Sequence, residues 1–138
     1  MNYRVLDLSD YNKYINLIKK FRNIEEDYHE FCKTFNNIKK NGEIIICEID
    51  KNIVGTATLL VESKFIHNYS KYGHLEDVFI DPDYQGQGIA TKLINLIIEI
   101  AKSNNCIKCK LNCYNYLEKF YNKNNFNENG ISMINLLN

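Results

Sequence analysis

Gly73-His74-Leu75-Glu76-Asp77-Val78-Phe79-Ile80-Asp81-Pro82-Asp83-Tyr84-Gln85-Gly86-Gln87-Gly88-Ile89-Ala90-Thr91 is the stretch on which the fold turns. Gly73 to Asp81 reads as a short strand ended by Asp81-Pro82-Asp83. A glycine-rich loop follows, Gln85-Gly86-Gln87-Gly88, and opens a long helix to about Ser103. Ile89, Leu93, Leu96, Ile97 and Ile100 recur there at helical spacing. Backbone N–H groups at a helix start are unpaired and partly positive, and glycine lets a phosphate approach them closely. Taken alone, the Gly-x-Gly pair reads first as a flexible turn. No Gly-Lys-Ser/Thr follows, so it is not a P-loop, and it is too short for the dinucleotide-binding fingerprint.

Downstream, Ile107 to Cys113 reads as a strand, with Ile107, Cys109, Leu111 and Cys113 on one face and Lys108, Lys110 and Asn112 on the other. A short helix from about Asn115 to Lys123 and two short strands, near Phe126 and over Ile131 to Leu136, close the chain. Upstream, Glu43 to Ile49 and Ile53 to Lys64 form an antiparallel hairpin through Asp50-Lys51-Asn52. A polar loop, Phe65 to Tyr72, leads into the strand quoted above. Asn2 to Leu8 is a first strand. Ser9 caps a helix from Asp10 to about Phe21, with Tyr14, Leu17, Ile18 and Phe21 on one face. Glu25 to Lys40 is a second helix, faced by Tyr28, Phe31, Phe35 and Ile38 and stopped at Asn41-Gly42. The order β-α-α-β-β-β-α-β-α-β-β predicts a mixed α/β (α+β) fold, one twisted sheet flanked by four helices, in a single domain over residues 1–138.

Composition narrows the function classes. Lys+Arg and Asp+Glu balance at 17 each, which argues against a nucleic-acid partner. No apolar run approaches the ~20 residues that span a bilayer. Met1-Asn2-Tyr3-Arg4 lacks the apolar core of a signal peptide, so a cytoplasmic protein with no membrane partner is expected. The cysteine count is five, which is odd, so disulfides cannot pair them all. Cys106, Cys109 and Cys113 lack the second ligand pair of a zinc site, and no metal is expected.

Gln85-x-x-Gly88-x-Ala90 resembles the Gln/Arg-x-x-Gly-x-Gly/Ala signature of the GNAT acetyltransferases, whose element order also agrees over nearly the whole chain. The resemblance implies the acyl-CoA N-acyltransferase fold, with acetyl-CoA as co-substrate entering where two central strands splay apart. It places the pyrophosphate on Gln85, Gly86, Gln87, Gly88, Ile89, Ala90 and Thr91, and the acetyl-bearing end along Val78, Phe79 and Ile80. A bulge at Val78 is implied, its N–H meeting the thioester carbonyl. Tyr121, after Phe120, takes the place of the acid that protonates the departing thiolate.

A narrower resemblance rests on Lys64-Phe65-Ile66-His67 followed by His74-Leu75-Glu76-Asp77-Val78, with Cys106, Lys108 and Phe120-Tyr121. This pattern is similar to the glucosamine-6-phosphate N-acetyltransferases, which implies an amino-sugar phosphate substrate and a role in UDP-GlcNAc biosynthesis. Lys64, Phe65, Ile66, His67, Glu76, Asp77, Lys108 and Asn112 are then the expected substrate residues. By chemistry alone, Glu76 and Asp77 are adjacent in a strand and should face opposite sides. The family implies a homodimer with shared active sites, Lys108 reaching its neighbour's pocket. Two positions depart from the family: Asn112 replaces an acid, and Leu117 replaces an asparagine on the pantetheine arm, for which Asn115 is the nearest substitute. Alternatives remain a GNAT enzyme for another small amine or a protein N-terminus, and a CoA-binding homologue without catalysis.

Overall fold

The structure, a computed structural model, describes residues 1–138. Five strands form one sheet in the order β1-β2-β3-β4-β5. They are β1 (Asn2–Val5), β2 (Gly42–Ile49), β3 (Asn52–Ser63), β4 (Lys71–Ile80) and β5 (Cys106–Lys110). Neighbours run antiparallel except β4 and β5, which are parallel. Five helices accompany the sheet: α1 (Tyr11–Ile18), α2 (Tyr28–Lys40), the single turn α3 (Ile66–Tyr69), α4 (Ile89–Ser103) and α5 (Glu118–Lys123).

The middle strand shows why the sheet is layered on both sides. Ile53 to Leu59 are buried without a break, as expected of a strand covered on both faces. On one face, Ile45, Val54, Ala57, Leu59 and Leu75 meet Ile89, Leu93, Ile94, Ile97 and Ala101 of α4. On the other, Ile44, Ile46 and Ile53 join Leu6 and Leu17, with Tyr14, Phe31 and Phe35 packed around them. The alternation of Ile44 and Ile46 against Ile45 and Cys47 therefore divides one strand between two cores. Gly42, at the start of β2, passes so near β3 that a Cβ there would lie 2.1 Å from the Leu59 carbonyl oxygen.

Several boundaries differ from the sequence expectation. Strand β1 stops at Val5, and the first cap is Asp7 rather than Ser9. Asp7 accepts the Ser9 N–H at 2.9 Å, while Asp10 accepts the Asp7 N–H at 2.9 Å, closing a capping box. Asp10 is drawn there by Arg4, whose two guanidinium nitrogens donate to its carboxylate at 2.7 and 2.9 Å. α2 begins at Tyr28 because Asp27 accepts the Glu30 N–H at 3.1 Å. The expected polar loop contains α3, and β4 begins at Lys71 rather than Gly73.

At the far end, β5 stops at Lys110 rather than Cys113, and Ile107 is 55% exposed. The β4 register explains this: Lys71 pairs with Cys106 and Tyr72 with Lys108, so Ile107 is skipped and never reaches the apolar face. The strands expected near Phe126 and over Ile131 to Leu136 do not form. Phe126 packs against the α4 core, but Ile131, Met133, Ile134, Leu136 and Leu137 stand 74–91% exposed. A strand exists only where a neighbour takes its hydrogen bonds, and no segment of the same chain pairs with this one. Without those strands β5 is the outer edge of the sheet. No helix is long and apolar enough to cross a membrane.

Candidate active site

The glycine-rich loop has the geometry of an anion cradle. Gly86 and Gly88 both sit at φ +80°, and a Cβ on either would meet nothing within 4 Å. Gly88 caps the 15-residue α4 in the left-handed conformation and offers no side chain to its amides. Helical bonding starts when the Lys92 N–H donates to the Gly88 carbonyl at 3.1 Å, so the preceding amides of the first turn have no helical partner. Space, unpaired N–H groups and the positive helix end coincide, which fits a diphosphate. Gln85 anchors the loop by donating its side-chain amide to the Ile80 carbonyl at 3.2 Å. Ile89 is itself 1% exposed, so only its backbone is available to a ligand. Ala90 is half-buried and Thr91 exposed.

Strand β4 bulges where the resemblance implied. Thr58 pairs with Glu76 and Thr56 with Phe79, so two residues, Asp77 and Val78, face the single Ala57. Asp77 takes up the extra length in a left-handed conformation, φ +50°, uncommon for a residue with a side chain. The bulge resets the alternation. Val78 and Ile80 pack on the α4 side, while Phe79 stacks on Phe21 on the α1 side, with ring centroids 4.7 Å apart. The opposite-face expectation for Glu76 and Asp77 assumed an unbroken strand, and the bulge takes Asp77 out of that alternation. Glu76 pairs with Thr58 on the α1 side. Tyr14 bonds Thr56 at 3.0 Å between oxygens, and burial pushes its pKa up to about 12.

A wedge opens beside this bulge. The parallel pairing of β4 with β5 ends at His74–Lys110. Beyond it β4 continues along β3 to Ile80, while the other segment leaves through Asn112 and a short 3-10 turn, Asn115–Leu117, into α5. The strands that part are thus β4 and the edge strand β5, not two central strands. Asn112 and Asn115 are exposed on the departing segment, and Leu117 packs against the α4 core. Tyr121 on α5 is 9% exposed and belongs to the cluster that holds Leu75 and Ile89. Its ring lies edge-on to Phe120 and Phe126, at 5.1 and 6.0 Å. Burial, with a smaller contribution from Cys113, raises its pKa above the ordinary 10.0 and keeps the phenol protonated. No buried polar side-chain atom lacks a partner, so the Tyr121 hydroxyl, which has none within the chain, is not sealed from solvent.

The opposite face of the same strands carries a row of cations. Tyr72 pairs with Glu62 on β3 and with Lys108 on β5, which sets the three side chains side by side. The Lys64 and Lys108 ammonium groups lie 5.2 and 4.7 Å from the centre of the Tyr72 ring, and the His67 ring lies 6.3 Å away. Glu62 contacts His74 Nε2 at 3.1 Å and accepts from Lys64 at 3.4 Å, and these contacts hold its carboxyl below the usual range. His67, Asn68 and Tyr69 are successive left-handed residues. That turn is tied by the Ser70 hydroxyl donating to the Ile66 carbonyl at 3.0 Å and by the Lys64 N–H donating to the Ser70 carbonyl at 2.9 Å. Phe65 is 88% exposed and Ile66 56%.

Comparison with known proteins meets this geometry. The profile of the acetyltransferase (GNAT) family matches residues 9–126. This chain belongs to the GNAT acetyltransferase family. A glucosamine 6-phosphate N-acetyltransferase of Dictyostelium discoideum is 30% identical over 139 residues, covering 96% of this chain and 88% of that one. The Candida albicans enzyme of the same name is 29% identical, covering 96% and 93%. The crystal structure of glucosamine-6-phosphate N-acetyltransferase from Arabidopsis thaliana superposes with a TM-score of 0.93 at 27% identity, covering 99% and 98%.

Within this GNAT fold, the expected residues fall into two groups. The loop from Gln85 to Thr91, the bulge at Val78 and Tyr121 gather at the wedge and on the α4 side. Lys64, His67, Glu76 and Lys108 gather on the α1 side of β4 and β5. Phe79 turns its ring away into the α1 contact, so only its backbone is left for the cofactor contact expected of it. Sequence reasoning missed Tyr72, Glu62 and Tyr14. Tyr72 stands two residues before His74 and four before Glu76, so strand alternation would have put it on the face that carries the cations.

Proposed function

We propose that this chain transfers the acetyl group of acetyl-CoA to the 2-amine of glucosamine 6-phosphate, giving N-acetylglucosamine 6-phosphate and CoA. The observation that supports it best is the Lys64–Tyr72–Lys108 cluster, two cations at one ring with a single carboxylate, Glu62, that also contacts His74; the ring belongs to the strand that carries Glu76 and the bulge. A sugar phosphate supplies the missing anion. The full-length similarity to enzymes of that name points the same way.

Each residue then has a task. The loop amides from Gln85 to Thr91 hold the diphosphate of the co-substrate. The Val78 N–H at the bulge donates to the thioester carbonyl and stabilises the oxyanion formed as the amine attacks. Glu76, half-buried on the sugar face, orients the amine or a neighbouring hydroxyl, and the exposed Asp77 lines the same opening. Tyr121 gives its proton to the departing thiolate, a role suited to a phenol that burial keeps protonated. Transfer is direct, with both reactants held together: the C–N bond forms, the C–S bond breaks, and the proton that the nitrogen loses passes through solvent to restore the one Tyr121 gave to sulfur. N-acetylglucosamine 6-phosphate made in this way feeds UDP-GlcNAc synthesis. All five cysteines are free thiols, which suits the reducing cytoplasm.

We also propose a homodimer with shared active sites. Lys108 stands on the open outer strand beside the exposed Ile107, and large apolar side chains are also exposed at Phe65 and Ile66 and in the tail, at Ile131, Met133, Ile134, Leu136 and Leu137. A second copy covering this edge would border the cation cluster and complete the sugar site.

The deciding experiment measures thiol release with a panel of amines. Lys108→Ala should lower kcat/KM for glucosamine 6-phosphate by about tenfold to a hundredfold, the value of one charge-assisted hydrogen bond. Unphosphorylated glucosamine should be affected far less, and acetyl-CoA affinity not at all. Equal losses for both sugars would remove the phosphate role. A monomer in sedimentation at assay concentration would remove the shared site.

A further inference from the structure

We propose that Tyr72 is a positioning residue for phosphate recognition: its buried ring gathers the Lys64 and Lys108 ammonium groups into one anion-binding pair. The proposal rests on the glucosamine 6-phosphate reading and assigns a residue to it that touches neither the amine nor the thioester.

Two like charges drawn to one spot need a reason. Lys64 has a partial one in Glu62, at 3.4 Å, but that carboxylate is shared with His74. Lys108 makes no ion pair at all; the group it meets is the Tyr72 ring, 4.7 Å from its ammonium. The negative face of an aromatic ring attracts a cation within about 6 Å, and more strongly where water is excluded. Tyr72 is 7% exposed, so its ring supplies that dry surface. The position is fixed by the sheet rather than by the side chains, since Tyr72 faces Glu62 on one neighbouring strand and Lys108 on the other. A lysine ammonium on four flexible carbons would otherwise swing into water. The ring lowers the entropy lost when a phosphate arrives and leaves the ammonium hydrogens free to donate to it. The Tyr72 hydroxyl bonds nothing within the chain, so the ring face is the part at work.

The test separates the ring from its shape. Tyr72→Phe keeps the face and should leave KM for glucosamine 6-phosphate within about twofold. Tyr72→Leu keeps apolar bulk without the face and should raise that KM about fivefold to thirtyfold, since two cation–ring contacts are lost. Acetyl-CoA affinity and turnover of unphosphorylated glucosamine should stay within twofold. Because Tyr72→Leu disturbs a buried site, a second series places mono-, di- and trifluorophenylalanine at position 72. Fluorine drains the ring face while nearly preserving its shape, so KM should climb step by step. A flat fluorine series, or equal behaviour of the Phe and Leu variants in folded protein, overturns the proposal. Should the native enzyme not use glucosamine 6-phosphate, the function reading fails by itself. Inorganic phosphate titrated into the same series, followed by NMR of the lysine ammonium groups, then decides. Affinity falling with fluorination supports the clamp, and no phosphate binding at Lys64 and Lys108 overturns it.

Discussion

Replacing Gly88 by Asn and by Asp separates backbone strain from ligand electrostatics at one atom. Gly88 caps α4 at φ +80° and ψ +9°, and a Cβ there meets nothing within 4 Å. The steric cost of a side chain is therefore that of the left-handed backbone, about 1–2 kcal/mol and least for Asn and Asp. For a chain of 138 residues this lowers Tm by a few degrees only. Both side chains fill the open space in front of the α4 amides, so both should weaken acetyl-CoA binding. Asn and Asp are nearly isosteric, and their difference isolates one charge. A carboxylate about 4 Å from a diphosphate charge is unfavourable by about 1 kcal/mol in full solvent and about 4 kcal/mol at an effective dielectric of 20. Calorimetric titration should accordingly show Gly88→Asp binding acetyl-CoA roughly fivefold to a thousandfold more weakly than Gly88→Asn, with the gap shrinking in salt. Equal affinities for the two folded variants would refute a diphosphate at this helix end. Native affinity in both would refute the loop as the site.

Tyr121→Phe removes one hydroxyl from a packed ring, so kcat should fall ~10²–10⁴-fold with Tm nearly unchanged; a drop under about threefold while chemistry limits the rate excludes Tyr121 as the acid. The phenol acts while protonated and its pKa is raised above 10.0, so a Tyr121-dependent decline in kcat should have its midpoint above pH 10. A decline below pH 9 that vanishes in Tyr121→Phe would contradict that direction. Gly42→Ala puts a Cβ 2.1 Å from the Leu59 carbonyl oxygen, a backbone clash that should force β2 from β3 and lower stability by about 3 kcal/mol or more in urea unfolding. An unchanged midpoint would mean that the hairpin yields there without loss.

What the sequence disclosed depended on how locally each feature is determined. The loop before α4 was legible because left-handed glycines, a helix start and an apolar period all lie within a few residues. The β2–β3 hairpin was legible for the same reason. The break in alternation at Asp77 was not, because the bulge exists only in the pairing of β4 with β3. Ile107 was assigned to the buried face by alternation, and the skipped register with β4 removed it. The first cap went to Asp7 because Arg4, in the preceding strand, holds Asp10 where it closes the capping box. The tail from Ile131 carries a strand-like pattern, but a pattern specifies only willingness to pair. Tyr72 escaped notice because its two lysines come from α3's flank and from β5, segments that only the folded sheet brings to one ring.

The parting of β4 from β5 after His74–Lys110 also leaves a signature in time. Between Leu75 and Ile80 one strand edge is laced to β3 while the other borders an open cleft. Outside the bulge at Asp77 and Val78, backbone amides alternate between those edges, so neighbouring residues in one short strand should lose their protons at very different speeds in heavy water. Those bonded to β3 should hold them until the sheet opens, and those facing the cleft should lose them within the local fluctuations of the native state. A ligand arm lying in the cleft would silence the second set alone. The strand thus works as its own reporter, with an internal reference on one side and a sensor on the other.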